Sequence, residues 1–201
     1  DVYKRQDVTV HSQEAEPSDG YPYDDILNWL NDNPDASPQE LAHNLARIYV
    51  ESYEPGGSQF SQMDATLSGV DMGPWYTRYC LAVDDFAREL VKAGGLGNGT
   101  IYNIYQNAQR YADNDFMDIY HFAEGIASSS GLPSELRLAA QRLMDLQGDG
   151  SSWTDTALVG SFWHDEDDFW GGDVSNSHGI SIYAPTGSPR SSYSGLYWST
   201  N

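Results

Sequence analysis

The 201-residue sequence carries few side chains whose type and spacing could do covalent chemistry. A thiol mechanism needs a thiolate within hydrogen-bond reach of a histidine. The thiol can only be Cys80, which falls inside Trp75-Tyr76-Thr77-Arg78-Tyr79-Cys80-Leu81, mid-helix and away from the strand-to-loop setting that activates a cysteine. Cys80 is therefore expected to be a small buried hydrophobe, and His178, in Ser177-His178-Gly179, has no nucleophile to serve. Serine chemistry is no better supplied, because no Gly-x-Ser-x-Gly elbow is present. One cysteine also leaves no internal disulfide and no zinc site of two, three or four cysteines.

Carboxylates offer binding chemistry instead. Asp165-Glu166-Asp167-Asp168 presents oxygen ligands of the kind calcium takes, although such a run reads first as a solvated acidic turn. Asp145-x-Gln147-x-Asp149-Gly150 opens like a calcium loop but has Thr156 where a bidentate glutamate belongs. Glu14 and Glu16, as alternate residues of a strand, would share a face at about 6.5–7 Å, a spacing that could serve glycoside hydrolysis. The 14 Tyr and 6 Trp that would suit sugar stacking are more often core filler in a helical chain. Asn98-Gly99-Thr100 fits a glycosylation sequon and marks a surface loop. The best-placed polar cluster is Ser12-Gln13-Glu14, because ligands of open α/β sheets bind beyond the carboxyl ends of strands. An ordinary strand-to-helix loop is the alternative reading there.

The elements that must position these residues follow from periodicity. Val8 and Val10 alternate as in a strand, and the polar run from Ser12 stops at Pro17. Asp24 or Asp25 can cap a helix with Ile26, Leu27, Trp29 and Leu30 on its apolar face, ending near Asn33-Pro34. Ser37-Pro38-Gln39-Glu40 is a capping-box start for a helix bearing Leu41, Leu45, Ile48 and Tyr49. Ala65 to Asp71 reads as a short extended piece. Trp75 to Ala93 predicts a long helix with Tyr79, Leu81, Val83, Phe86, Leu90 and Val91 inward, stopped at Gly94-Gly95. Further helices are predicted over Ile101–Tyr111, Phe116–Ala127 and from Pro133-Ser134-Glu135 to Leu146. Ala157–Val159 and Gly179–Pro185 have strand composition, separated by an acidic, tryptophan-bearing loop from His164 to Asn176. Strands bracketing helices point to an α/β layered sheet with helices on its faces.

Composition removes whole classes of partner. Ten Lys and Arg against 30 Asp and Glu give a net charge of -20 and a pI near 4.2, so nucleic-acid backbones and anionic lipid are repelled. Aromatics at 13% argue for a folded chain. No apolar run approaches the roughly 18 residues of a membrane span. The basic hexapeptide Asp1–Gln6 is unlike the acidic chain after it and reads as a non-native adaptor scar, leaving 7–201 as the domain sequence.

Several separated motifs resemble the clostripain family of cysteine peptidases. They are Ser12-Gln13-Glu14-x-Glu16-Pro17-x-Asp19-Gly20-Tyr21-Pro22-Tyr23-Asp24-Asp25-Ile26-Leu27, Thr66-x-Ser68-x-Val70-Asp71, Asp118-Ile119-Tyr120-His121-Phe122-Ala123, and Ser177-His178-Gly179-Ile180-Ser181-Ile182-Tyr183-Ala184-Pro185. The resemblance spans nearly all of Val8 to Pro185 in order. It implies a caspase-like α/β/α sandwich, a His/Cys dyad and cleavage after basic side chains. In that family both dyad residues lie upstream of the segment resembling Ser12 to Leu27, and His178 matches a C-terminal structural motif. Residues 7–201 are thus expected to be the helix-rich C-terminal part of such a domain, without its catalytic His and Cys and inactive alone. The expected partners are the missing N-terminal half of the same protein and a peptide or protein substrate with Arg or Lys at the cleavage site. The resemblance places Ser12, Gln13 and Glu14 on the wall of the substrate-specificity pocket, the substrate-binding residues of this reading. It assigns no metal ligands; because some members require calcium, calcium is the one candidate cofactor. A secreted or bacterial cell-surface location is implied. The rival reading is a non-catalytic, acidic, aromatic-rich module that binds basic peptides or glycans.

Overall fold

The computed structural model describes residues 6–150, 155–166 and 173–191. Its organising strand is the stretch that reads as a short extended piece. Ala65–Asp71 (β2) is built from small and β-branched residues, and Ala65 through Val70 are all buried, as a strand covered on both faces must be. It pairs antiparallel with Val8–His11 (β1) on one side and with Leu158–His164 (β4) on the other. Val8 stands opposite Asp71, and Ala65 opposite His164, so the carboxyl ends of β1 and β4 meet at the same edge of the sheet. β4 runs five residues beyond the predicted Val159, because the partner strand β2 keeps offering backbone groups through Ala65.

One sheet face is apolar. Ala65 and Leu67 pack on Pro38–Tyr53 (α2), whose start is the predicted capping box: Glu40 N–H donates to Ser37 Oγ, and the Glu40 carboxylate accepts from Ser37 N–H. The buried stripe of α2 is Ala42, Ala46, Tyr49, Val50 and Tyr53, while Leu41, Leu45 and Ile48 are half-buried at its margins. The small residues lie inward because the helix sits close on a glycine-bearing strand, leaving no room for leucine. Tyr23–Asp32 (α1) precedes it; Pro22 takes the cap position, and Asp24 and Asp25 occupy the first turn, where their charge suits the helix dipole.

Four helices make a second core: Pro74–Lys92 (α3), Gly99–Asn107 (α4), Ile119–Ser128 (α5) and Ser134–Gln147 (α6). On α3 the inward residues are Tyr79, Ala82 and Phe86, whereas Leu81 and Val91 are 62% and 77% exposed. Cys80, next to Tyr79, is exposed, which corrects the expectation of a buried thiol. Tyr79, Val83, Phe86 and Leu90 of the expected stripe do face this core, and Phe86 meets Phe122 of α5 edge-on, with ring centroids 5.8 Å apart. Asn98 of the sequon caps α4, its side-chain oxygen accepting from Thr100 and Ile101 N–H.

The predicted helix over Phe116–Ala127 divides. Phe116–Asp118 (β3) pairs antiparallel with Ser181–Tyr183 (β5), and helix begins only after Asp118, whose side chain accepts from His121 N–H as the cap of α5. The helix expected to reach Tyr111 stops at Asn107, and Gln109 carbonyl instead accepts from Asp118 N–H. The architecture is a mixed α/β one with six α-helices among the described residues. No described helix is long and apolar enough to cross a membrane.

Candidate functional site

β1 ends at His11, and the chain turns at once into Ser12-Gln13-Glu14, beyond the carboxyl edge of the sheet. Thr66, the second residue of β2, holds that turn. Its hydroxyl accepts from the Gln13 and Glu14 N–H groups, both at 3.0 Å, and lies 3.0 Å from Ser12 Oγ. Ser12 Oγ donates to the Glu14 carbonyl at 2.8 Å. Thr66 and Ser68 point to the face opposite α2, where Ser68 Oγ donates to Ser161 Oγ, so this side of the sheet carries a row of hydroxyls. His11 on the same side has Nε2 3.0 Å from the Gly179 carbonyl, and burial pushes its pKa down.

Gln13 and Glu14 are both nearly buried, at 8% exposure. Gln13 spends both ends of its amide inside the protein: Nε2 donates to Asp118 Oδ2 at 2.9 Å, and Oε1 accepts from Gly179 N–H at 2.8 Å. The Glu14 carboxylate accepts from Ala15 N–H at 2.6 Å and from Ala112 N–H, which is shared between its oxygens at 2.9 and 3.1 Å. Every donor to that carboxylate among the described residues is a backbone amide. Among the described residues, no lysine, arginine or histidine forms an ion pair with it.

Asp118 is the second buried carboxylate here and is fully inaccessible. Oδ2 accepts from Gln13, from Tyr111 Oη–H at 3.0 Å and from His178 N–H at 2.7 Å; Oδ1 caps α5 and lies 3.6 Å from His178 Nδ1. Burial by itself would push the Asp118 pKa up, but the hydrogen bonds from His178, His121 and Gln13 together hold it below the usual carboxylate value. His178 stacks on Tyr120 with ring centroids 4.4 Å apart, and Nδ1 donates to the Asn176 carbonyl at 2.7 Å. Burial would lower its pKa; the Asp118 carboxylate, the Asn176 carbonyl and Glu124 outweigh that and raise it.

The segments that sequence reading marked separately thus meet at one place: Ser12–Glu14, Thr66, Asp118 and His178-Gly179. The roles of Thr66 and Asp118 were not foreseen, because nothing in a linear sequence tells a strand threonine or a helix-cap aspartate which distant amide it will accept from. Other expected groupings do not form. Glu14 and Glu16 do not share a strand face, since β1 stops before them; Glu14 turns inward and exposed Glu16 accepts from Tyr21 Oη–H. Asp145 and Gln147 belong to α6 rather than to a calcium loop, and buried Gln147 donates to the His178 carbonyl at 2.7 Å. Of the acidic run, Glu166 faces His164, Nε2 lying 3.1 Å from the carboxylate, while Asp167 and Asp168 lie outside the described residues. The described residues contain no group of three or more His, Cys, Asp or Glu arranged to hold a metal ion. Cys80 has Tyr76 as its polar neighbour, one turn back on α3, and no histidine within hydrogen-bond reach.

Compared with known proteins, residues 1–147 match the sequence model of the clostripain family, a range that includes Ser12–Glu14, Thr66 and Asp118. No curated protein matches the chain.

Proposed function

This chain belongs to the clostripain family, and from that premise we propose that it builds one wall of the substrate groove of a cysteine endopeptidase that cleaves after basic residues. Membership carries a peptidase-type function with peptide substrates, on a mixed α/β framework consistent with the caspase-like fold. Ser12, Gln13 and Glu14 form the proposed wall. The observation that supports it is the Glu14 carboxylate, nearly buried, aimed by backbone amides and without a cationic partner among the described residues. A buried carboxylate in that state gains from a guanidinium or ammonium group, which supplies both counter-charge and charge-assisted hydrogen bonds.

The nucleophile in this reading is a cysteine other than Cys80, paired with a histidine other than His178 and supplied by sequence upstream of the strand β1. Its thiolate would attack the scissile carbonyl, and the histidine would pass the proton to the leaving amine. The chain alone is then inactive. A secreted or bacterial cell-surface setting goes with this reading. A non-catalytic module for basic peptides draws on the same carboxylate and differs only in having no dyad to complete.

The test is to express the chain joined to its upstream coding sequence, beside the chain alone and a Glu14→Gln variant, on fluorogenic Arg and Lys peptides. Turnover in the joined protein alone, reduced by Glu14→Gln mainly through KM, is the expected result. Peptide binding without turnover in any form would replace the peptidase with the binding module.

A further inference from the structure

The loop at residues 12–14 is fastened to four residues far away in sequence. Thr66 holds its backbone, Ala112 N–H holds Glu14, and Gln13 bridges Asp118 to Gly179. Two of these, at Asp118 directly and at Gly179 through the neighbouring His178 amide, depend on one side chain. Asp118 Oδ2 receives Gln13 and the His178 amide at the same oxygen, so the groove loop and the 177–179 segment are hung from a single buried atom. Tyr111, next to Ala112 and two residues after Gln109, whose N–H donates to His121 Nδ1 of α5, donates to that oxygen as well.

We infer that Asp118 is the positioning residue of the 12–14 loop, coupling its placement to His178 through Gln13 and the His178-Gly179 backbone. The inference rests on the reading of that loop as a groove wall. Asp118 touches no substrate; it fixes which way the Gln13 amide points, because only Nε2 can face a carboxylate and Oε1 is then left for Gly179 N–H. With the loop so fixed, Glu14 keeps its carboxylate on Ala112.

His178 gives this coupling a readout that packing alone would lack. Nδ1 keeps its hydrogen on the Asn176 carbonyl, so the titrating proton is the one on Nε2. The groups that face His178 are Asp118 from β3 and Tyr120, His121 and Glu124 from α5, with Asp145 and Asp149 around Tyr120 from the end of α6. With the imidazolium present, the Asp118 carboxylate has a counter-charge; without it, the buried anion is held by neutral donors only, and the Gln13–Gly179 bridge loosens.

The experiment measures amide hydrogen exchange in residues 12–15 and 177–180, and in parallel the affinity for a fluorescent arginine-containing peptide, across the pH range in which histidine titrates. Wild type is compared with Asp118→Asn, which preserves a capping side chain for α5, and with Gln13→Met, which removes the bridge and leaves Asp118 untouched. Protection is expected to fall about tenfold or more in both segments together in each variant. The pH dependence of peptide affinity seen in wild type is expected to disappear in both. Protection of 177–180 that survives Gln13→Met, or of 12–15 that survives Asp118→Asn, overturns the inference. Loosened loops with unchanged peptide affinity uphold the positioning role and overturn the groove-wall reading instead.

Discussion

Gly69 of β2 lies so close to α2 that a Cβ placed on it would stand 3.1 Å from the Ala42 Cβ and 2.8 Å from Val159 Cγ2. Helix and sheet therefore meet where Gly69 has no side chain and its neighbours, Ala42 and Val159, have short ones. A Gly69→Val substitution is expected to cost about 1–3 kcal/mol by forcing α2 off the sheet, with Gly69→Ala at the lower end. Urea unfolding midpoints would measure it, and a midpoint unchanged by valine would mean that α2 does not need this approach.

Tyr79 and Tyr111 differ in one respect that predicts opposite outcomes for the same change. The Tyr79 hydroxyl is buried and has no hydrogen-bond partner among the described residues, whereas Tyr111 Oη–H donates to Asp118. Tyr79→Phe is expected to leave stability unchanged or raise it by up to about 1 kcal/mol, and Tyr111→Phe to lower it by about 1–3 kcal/mol. Equal losses in thermal unfolding would show that Tyr79 does have a partner.

What was legible in the sequence and what was not follows from range. The capping box at Ser37, the α6 start at Ser134 and the glycine stop after α3 depend on residues within a turn of each other, and each forms as expected. β3 was hidden inside a helical pattern because its partner, β5, is more than sixty residues away, and only that pairing makes Phe116–Asp118 extended. The inward stripe of α2, and the outward Leu81 and Val91 of α3, differ from expectation for a related reason: periodicity gives the width of an apolar face, but neighbours decide its centre. Where Gly69 invites close approach, Ala42 and Ala46 outrank the leucines. At the candidate site, the place of Ser12, Gln13 and Glu14 directly after a strand was legible, while Thr66 and Asp118, which hold them, carry no local signal of that role.

Cys80 supplies a direct check on the helix rotation. As an exposed residue of α3, its thiol is expected to react with a disulfide reagent in the native protein at a rate within about tenfold of that in denaturant. A thiol protected by several orders of magnitude until unfolding would turn Cys80 inward, to the buried position first expected of it. Cys80→Ser is expected to shift stability by less than about 0.5 kcal/mol, as surface substitutions do.

The imidazoles of His178 and His11 should make stability fall on both sides of neutrality, through opposite signs. The folded-state pKa of His178 lies above the ordinary 6.5, because Asp118, Asn176 and Glu124 together outweigh burial. Its contribution is complete below 6.5 and is lost as pH rises through the raised value. For His11, burial is the larger effect and holds the folded value below 6.5, so its contribution is complete above 6.5 and is lost as pH falls through the lowered value. Asp118, held below 3.8, adds a further loss only as pH falls through its own depressed value. Urea midpoints from about pH 4 to 9 are expected to decline above neutrality in wild type and to flatten there in His178→Gln, with the acid side unchanged. In His11→Gln the decline just below 6.5 should flatten while the alkaline side stays. An alkaline decline that persists in His178→Gln would detach His178 from the Asp118 carboxylate, leaving that buried charge to be held by Gln13, Tyr111 and backbone amides.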